Sequence, residues 1–259
     1  RQQRKIVSGY TPNATQSNTT TRSPDGRSTS RPSGVLRFTT KEGQMSTTMG
    51  DEWDFRKQIC QAGKRLYDLF LVAGNDGNIS IRLNDDELLI TPGGVSKGMM
   101  QPEDIVKLAL DGAVLASRDG KKPSSEFRMH LIVYRNRPDV RAVVHAHPPT
   151  ATGFAVAGVA LDTPFLPEVV VRTGPTPLVP YAIPGGEELP ESMAPYVRKY
   201  DTLLMGNHGV VAYGKTMFDA MSALETVELN ARIYLTAYHL GNINFLSRDQ
   251  VVELRDRYT

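Results

Sequence analysis

Five histidines, at positions 130, 145, 147, 208 and 239, are the residues here whose type and spacing could carry chemistry. His145 and His147 close the apolar run Ala142-Val143-Val144-His145-Ala146-His147. On a strand, residues two apart leave the same face, so both imidazoles point one way. Pro148-Pro149 stops that strand directly behind them. His208 stands in Gly206-Asn207-His208-Gly209, a turn between two apolar runs. The chain has one cysteine, Cys60, which excludes an internal disulfide and any thiolate-rich metal site. Three converging imidazoles suit Zn²⁺ with one coordination position left open for substrate. Manganese, cobalt and nickel are equally compatible with imidazole donors. An H-x-H pair alone is a weak signal, and a lone turn histidine more often just satisfies its own loop. His130, four residues beyond Glu126, reads as support for a neighbour, and His239, near a helix end, as a favourable charge placement.

Glu126 is the second element, in Pro123-Ser124-Ser125-Glu126. A carboxylate in a first helical turn normally complements the helix dipole. The same helix start offers free N–H groups and two hydroxyls, which together suit an anion. Gly77-Asn78, Gly93-Gly94 after Thr91-Pro92, and Lys97 add donors, close backbone approach and charge.

These residues need elements to place them. Phe55, Ile59, Ala62, Leu66, Leu69 and Phe70 recur at helical spacing and predict a helix over 52–72. Alternating runs predict strands over 78–82 and 87–91, and Asp111-Gly112 predicts a hairpin between 105–110 and 113–116. Ser124 is expected to cap a helix running to about Arg137, which Pro138 closes. Further strands are expected over 142–147, 168–172, 178–181, 202–205 and 210–213. A short helix should follow Pro148-Pro149, with others over 190–200, 217–240 and 248–258, the last capped by Ser247. Hairpins early and helices late favour an α/β domain with a mixed, largely antiparallel sheet over a doubly wound parallel one.

Across 259 residues, 30 Lys and Arg against 28 Asp and Glu leave +2, so overall charge points to neither nucleic acid nor membrane. The charge is unevenly spread. Residues 1–50 hold eight basic and two acidic side chains, and only nine apolar ones. Such a Ser- and Thr-rich stretch cannot offset its ordering entropy by burial and is expected to be a disordered basic tail. Its Arg-rich, acid-poor character superficially matches an organellar transit peptide. Residues 51–259 form the expected catalytic domain, long enough to bury a sizeable core. The first residues lack a secretory apolar run and no stretch is long enough to span a bilayer, so a cytoplasmic location is expected.

Five motifs then occur in order: Gly77-Asn78-Ile79-Ser80, Leu89-Ile90-Thr91-Pro92-Gly93-Gly94, Pro123-Ser124-Ser125-Glu126, Ala142 to His147, and Leu203 to Gly209. With them the chain resembles the class II aldolase/adducin family, and within it the L-fuculose-1-phosphate aldolases, from about Glu52 to the C-terminus. The resemblance implies a three-layer α/β/α domain. It implies zinc on His145, His147 and His208, with Glu126 both a fourth ligand and the acid/base. It implies phosphate held at Gly77, Asn78, Gly94, Ser124 and Ser125, with Gly93 where the aldolases have threonine. The implied reaction is reversible cleavage of a ketose phosphate, such as L-fuculose 1-phosphate, into dihydroxyacetone phosphate and an aldehyde through an enediolate. A homotetramer with interfacial sites is implied. The aldolases take a tyrosine from the stretch here reading Thr163 to Val169, where Glu168 is the nearest polar residue and a candidate second acid/base. Tyr258 is a poor match for their C-terminal tyrosine. Sugar-acid phosphate decarboxylases share the metal site, and acid recognition could use Lys97 or Arg172. The family's epimerases carry aspartate in place of Glu126, and the adducin interaction module predicts degraded metal ligands.

Overall fold

The computed structural model describes residues 49–258. The expected tail over 1–50 lies outside the described residues, except for Met49 and Gly50, which open the first helix. That helix, α1, spans Met49–Asp68 and ends earlier than the apolar periodicity suggests. Phe70 adopts a left-handed φ of 57° and stays exposed, which turns the chain so that Leu71 and Val72 drop into the core.

Eight strands form one sheet in the order β4-β3-β2-β1-β5-β8-β7-β6. They are β1 (Asn78–Arg82), β2 (Glu87–Ile90), β3 (Val106–Ala109), β4 (Val114–Ala116), β5 (Ala142–Ala146), β6 (Leu178–Val179), β7 (Thr202–Met205) and β8 (Gly209–Gly214). Every pairing is antiparallel except that of β6 with β7. The helices after α1 are α2 (Phe127–Asn136), α3 (Pro149–Ala157), α4 (Pro167–Arg172), α5 (Glu188–Val197), α6 (Met217–His239) and α7 (Arg248–Tyr258). As expected, Ser247 caps α7: its Oγ accepts from Gln250 N at 3.2 Å, and Gln250 Oε1 accepts from Ser247 N at 2.9 Å.

The period-two pattern of the strands divides the core into two layers. Ala142, Val144 and Ala146 of β5, with Ile79, Ile81, Val210 and Ala212, pack against α1, α3 and α6. Val143, Val211, Tyr213 and Leu203 pack against α2 and α5. The result is the α/β/α sandwich with a mixed, largely antiparallel sheet. Because His145 shares its parity with Val143, its ring emerges on the α2 side.

Two expectations are corrected. Residues 168–172 form no strand; they belong to α4. Three consecutive valines favour a strand, but Pro167 at the first helical position starts a helix. The adjacent Val169 and Val170 are then both buried while Glu168 and Arg172 face solvent, a pattern that no half-buried strand gives. Likewise α2 starts at Phe127, so Ser124 is not its cap and Glu126 occupies that position instead.

Candidate active site

The site lies where β5 ends, beside the β7–β8 turn and the start of α2. His145 is fully buried, and its Nδ1 lies 2.9 Å from Val210 O. A carbonyl only accepts, so Nδ1 carries the proton and Nε2 presents its lone pair. That Nε2 lies 3.1 Å from Nε2 of His147. His208 is presented by the turn, where Asn207 takes a left-handed φ of 55° and donates its N–H to Ala155 O of α3 at 3.3 Å. The ring centroids of His145 lie 4.9 Å from His147 and 4.7 Å from His208, and those of His147 and His208 lie 5.3 Å apart. One nitrogen from each ring falls within 4.8 Å of the others.

Glu126 faces this cluster. Its Oε1 lies 3.0 Å from His208 Nε2, and its Oε2 lies 3.4 Å from His145 Nε2 and 2.8 Å from Asn78 Nδ2, which donates to it. At the helix cap its side chain makes no capping hydrogen bond; it is spent on the histidines. Burial pushes the carboxyl up, but His145, His208 and the Asn78 hydrogen bond outweigh burial and hold it well below the usual carboxylate range. Burial drives His145 down to about 3, against the pull of Glu126. Burial also lowers His147, reinforced by His208 and opposed by Asp76, whose Oδ2 lies 3.5 Å from its Nδ1.

The donor set fits a divalent cation. Three imidazoles converge their nitrogens, and Oε1 of Glu126 and Nδ1 of His208 are buried without a hydrogen bond. A buried polar atom left unpaired costs about 1–3 kcal/mol, and a cation among these groups would relieve the crowded lone pairs and the bare carboxylate oxygen. The Val210 hydrogen bond to His145 is the outer-sphere contact that metal-ligating imidazoles use to fix tautomer and orientation.

Two glycines make room for this arrangement. A Cβ on Gly209 would come within 2.6 Å of both Ala146 O and His147 Cδ2. Gly77, at φ 75°, lies so close to β5 that a Cβ would meet His145 O at 2.8 Å. Gly209→Ala is therefore expected to displace His147 and weaken metal binding by about ten-fold or more. Titration of the purified variant with Zn²⁺ against a competing chelator checks this.

The remaining expected positions divide. An isolated bridge joins Pro92 to Pro123, and Gly93 donates its N–H to Lys122 O, which sets the Gly93-Gly94 loop against Ser124-Ser125. Gly93, Gly94 and Ser125 are exposed there, and Ser124 is buried with its Oγ 3.4 Å from Glu126 N. The N–H groups of Ser124 and Phe127 are already bonded to Thr91 O and Ser124 O, so this helix start offers fewer free donors than a helix capped at Ser124 would. Asn78 contacts Glu126 and His130. Lys97 is not available to a substrate: it is 1% exposed and donates to Asn75 O at 2.9 Å and Val95 O at 2.7 Å. Burial brings it down to about 8, against the charge of Asp76. Arg172 borders a cavity with Asp201 and Gly214, at the opposite end of β7 and β8 from His208. Glu168 is exposed in the first turn of α4, and no hydrogen bond or ion pair links it to the cluster among the described residues. Tyr258 is exposed at the end of α7. His239 ends α6 as expected. Asp76, Ser80 and Tyr134 were missed. The signal for the last two was positional: Ser80 shares a strand face with Asn78, and Tyr134 a helix face with Glu126 and His130.

A histidine cluster facing one carboxylate at the end of a three-layer sheet defines a class of metal-site domains. The family described as the class II aldolase and adducin N-terminal domain matches residues 57–235, and the chain belongs to that family. It is 34% identical to a 3-oxo-tetronate 4-phosphate decarboxylase of Pectobacterium atrosepticum, over 80% of this chain and 95% of that one. It is 32% identical to an L-fuculose phosphate aldolase of Methanocaldococcus jannaschii, over 70% and 95% of the two chains. A solved L-fuculose 1-phosphate aldolase superposes with a TM-score of 0.74 at 29% identity, covering 79% of this chain and 96% of that one. Among the described residues, no helix is long and apolar enough to cross a membrane.

Proposed function

We propose that the chain is a metal-dependent carbon–carbon lyase that releases dihydroxyacetone phosphate from a phosphorylated sugar or sugar acid. The observation that carries this is the half-buried Glu126 carboxylate, placed 3.0 Å and 3.4 Å from two imidazoles of a three-histidine cluster. His145, His147 and His208 would hold the ion, which we take to be Zn²⁺, with Glu126 as its fourth contact. When bound, the ion supplies Lewis-acid polarisation of the substrate's carbonyl group.

The chain's own residues do the rest. Glu126 takes the proton of the hydroxyl beside the breaking bond, and the C–C bond opens. The same carboxyl then returns the proton to the carbon that keeps the electron pair. The Gly93-Gly94 and Ser124-Ser125 loops lie side by side next to Glu126 and are assigned to the phosphate, which orients the reacting carbons. In a homotetramer with interfacial sites, Glu168 is the candidate to contact the hydroxyls on the aldehyde side.

Aldol cleavage of a ketose 1-phosphate is the first form of this reaction. Decarboxylation of a 3-oxo sugar-acid phosphate is the second, and it is supported by the 34% identity to a 3-oxo-tetronate 4-phosphate decarboxylase. Loss of carbon dioxide from that four-carbon skeleton also leaves dihydroxyacetone phosphate once the carbon that keeps the electron pair takes a proton from solvent by way of Glu126, and it needs no group to serve an aldehyde oxygen. One assay separates the two. Metal-loaded protein is given L-fuculose 1-phosphate or 3-oxo-tetronate 4-phosphate, and dihydroxyacetone phosphate, aldehyde and carbon dioxide are each measured. Dihydroxyacetone phosphate is expected with one co-product, and chelator should abolish both. Turnover that survives complete metal removal would sink the proposal.

A further inference from the structure

Behind Glu126 runs a buried chain of hydrogen bonds that the reaction does not by itself require. Glu126, His130 and Tyr134 follow one another at four-residue intervals and share one face at the start and along α2. Asn78 and Ser80 share one face of β1. The two rows interlock. Asn78 Nδ2 lies 2.8 Å from Glu126 Oε2, and Asn78 Oδ1 lies 2.5 Å from His130 Nε2. His130 Nδ1 lies 2.7 Å from Ser80 Oγ, which lies 2.7 Å from the Tyr134 hydroxyl. Asn78, Ser80, His130 and Tyr134 are all at most 2% exposed.

The direction of every bond in this chain follows from its end. An ionised carboxylate only accepts, so Asn78 must turn its NH₂ toward Glu126 and its oxygen toward His130. That oxygen also only accepts, so His130 Nε2 carries a proton. With one proton on the ring, Nδ1 is a lone pair that accepts from the Ser80 hydroxyl, and Ser80 Oγ accepts from Tyr134. A doubly protonated ring would be a cation with no exposed surface. Burial opposes it and lowers His130 to about 3, despite the charge of Glu126.

We propose that His130 is a positioning residue for Glu126: its Nε2–H tautomer locks the Asn78 amide so that an N–H, and never the amide oxygen, faces the carboxylate. This rests on the reading of Glu126 as the proton shuttle. Without the imidazole, Asn78 Oδ1 is left buried with no partner, and the amide loses one of the two contacts that hold its plane against Glu126. With it, Oε2 is pinned and Oε1 stays turned toward His208.

The test has two arms. In the first, His130→Phe is expected to lower kcat by about 10–100-fold with KM changed less than about three-fold, because the substrate's binding loops are untouched. His130→Gln restores an N–H near the Nε2 position and is expected to recover most of the loss. Equal losses in both variants, or none in either, would overturn the proposal. The second arm needs no substrate. Nitrogen NMR of ¹⁵N-histidine-labelled protein at pH 7 should show His130 with a protonated Nε2 and a bare Nδ1. The opposite tautomer or a doubly protonated ring overturns the proposal. A wild-type chain inactive on every phosphorylated sugar and sugar acid would instead count against the proposed reaction, and the tautomer would still decide the role of His130.

Discussion

Glu126→Gln is expected to lower turnover by about 10²–10⁴-fold while leaving the fold and the histidine cluster in place. The substitution keeps the shape of the side chain and removes its capacity to carry a proton. An amide can still face Asn78 and His208, so the packing around the start of α2 should survive. Because the carboxyl is held well below the usual carboxylate range, its loss also removes a negative charge that would offset a bound cation, leaving Asp76 beside His147 as the remaining carboxylate. The measurement is single-turnover release of dihydroxyacetone phosphate, paired with metal content after gel filtration. A variant that keeps its metal and loses its turnover identifies the proton shuttle. A variant that keeps more than about a tenth of wild-type turnover removes Glu126 from that role.

The second large effect concerns metal and stability together. His208→Ala should abolish the thermal stabilisation that Zn²⁺ gives the wild-type chain. An ion that binds only the folded state stabilises it by about 4 kcal/mol at a thousand-fold excess over Kd. In a domain of this size that raises Tm by roughly 8–16 °C. Removing His208 takes away one of three nitrogens and leaves a two-histidine remnant. In the metal-free state the same change should cost less than the lost metal effect, because it removes only the 3.0 Å contact of His208 Nε2 with Glu126 Oε1, while its Nδ1 has no hydrogen-bond partner to lose. Scanning calorimetry of both proteins, with and without Zn²⁺, checks the prediction. A metal-free variant that melts far below metal-free wild type would make His208 a structural residue rather than a ligand.

Much of this was legible in the sequence, for reasons that differ by element. His145 and His147 could be placed on one face because strand periodicity is strict and Pro148-Pro149 fixes where the strand ends. His208 was legible as a turn because Gly206 and Gly209 bracket it between apolar runs. Other features depended on pairing that a sequence does not display. Asn78 pairs with His145 in the β1–β5 register, and this brings its amide to Glu126. Lys97 reads as a surface charge until the loops around Asn75 and Val95 are seen to close over it. The valines of α4 read as a strand because local preference yields to the helix start set by Pro167. The order of motifs carried family membership; the co-product of the cleavage is carried by none of them.

The hydrogen bond from His145 to Val210 joins residues 65 positions apart, across the pairing of β5 with β8. Closing so long a loop is costly, and nothing rewards it until the two strands meet. The ligand set is therefore a product of the finished sheet rather than a seed for it. A chain emerging from synthesis presents His145 and His147 early, yet it holds no three-nitrogen site until β8 has been made and docked. On the proposed ligand set, metal loading is expected to follow folding, and a bound ion would report that the centre of the sheet is complete.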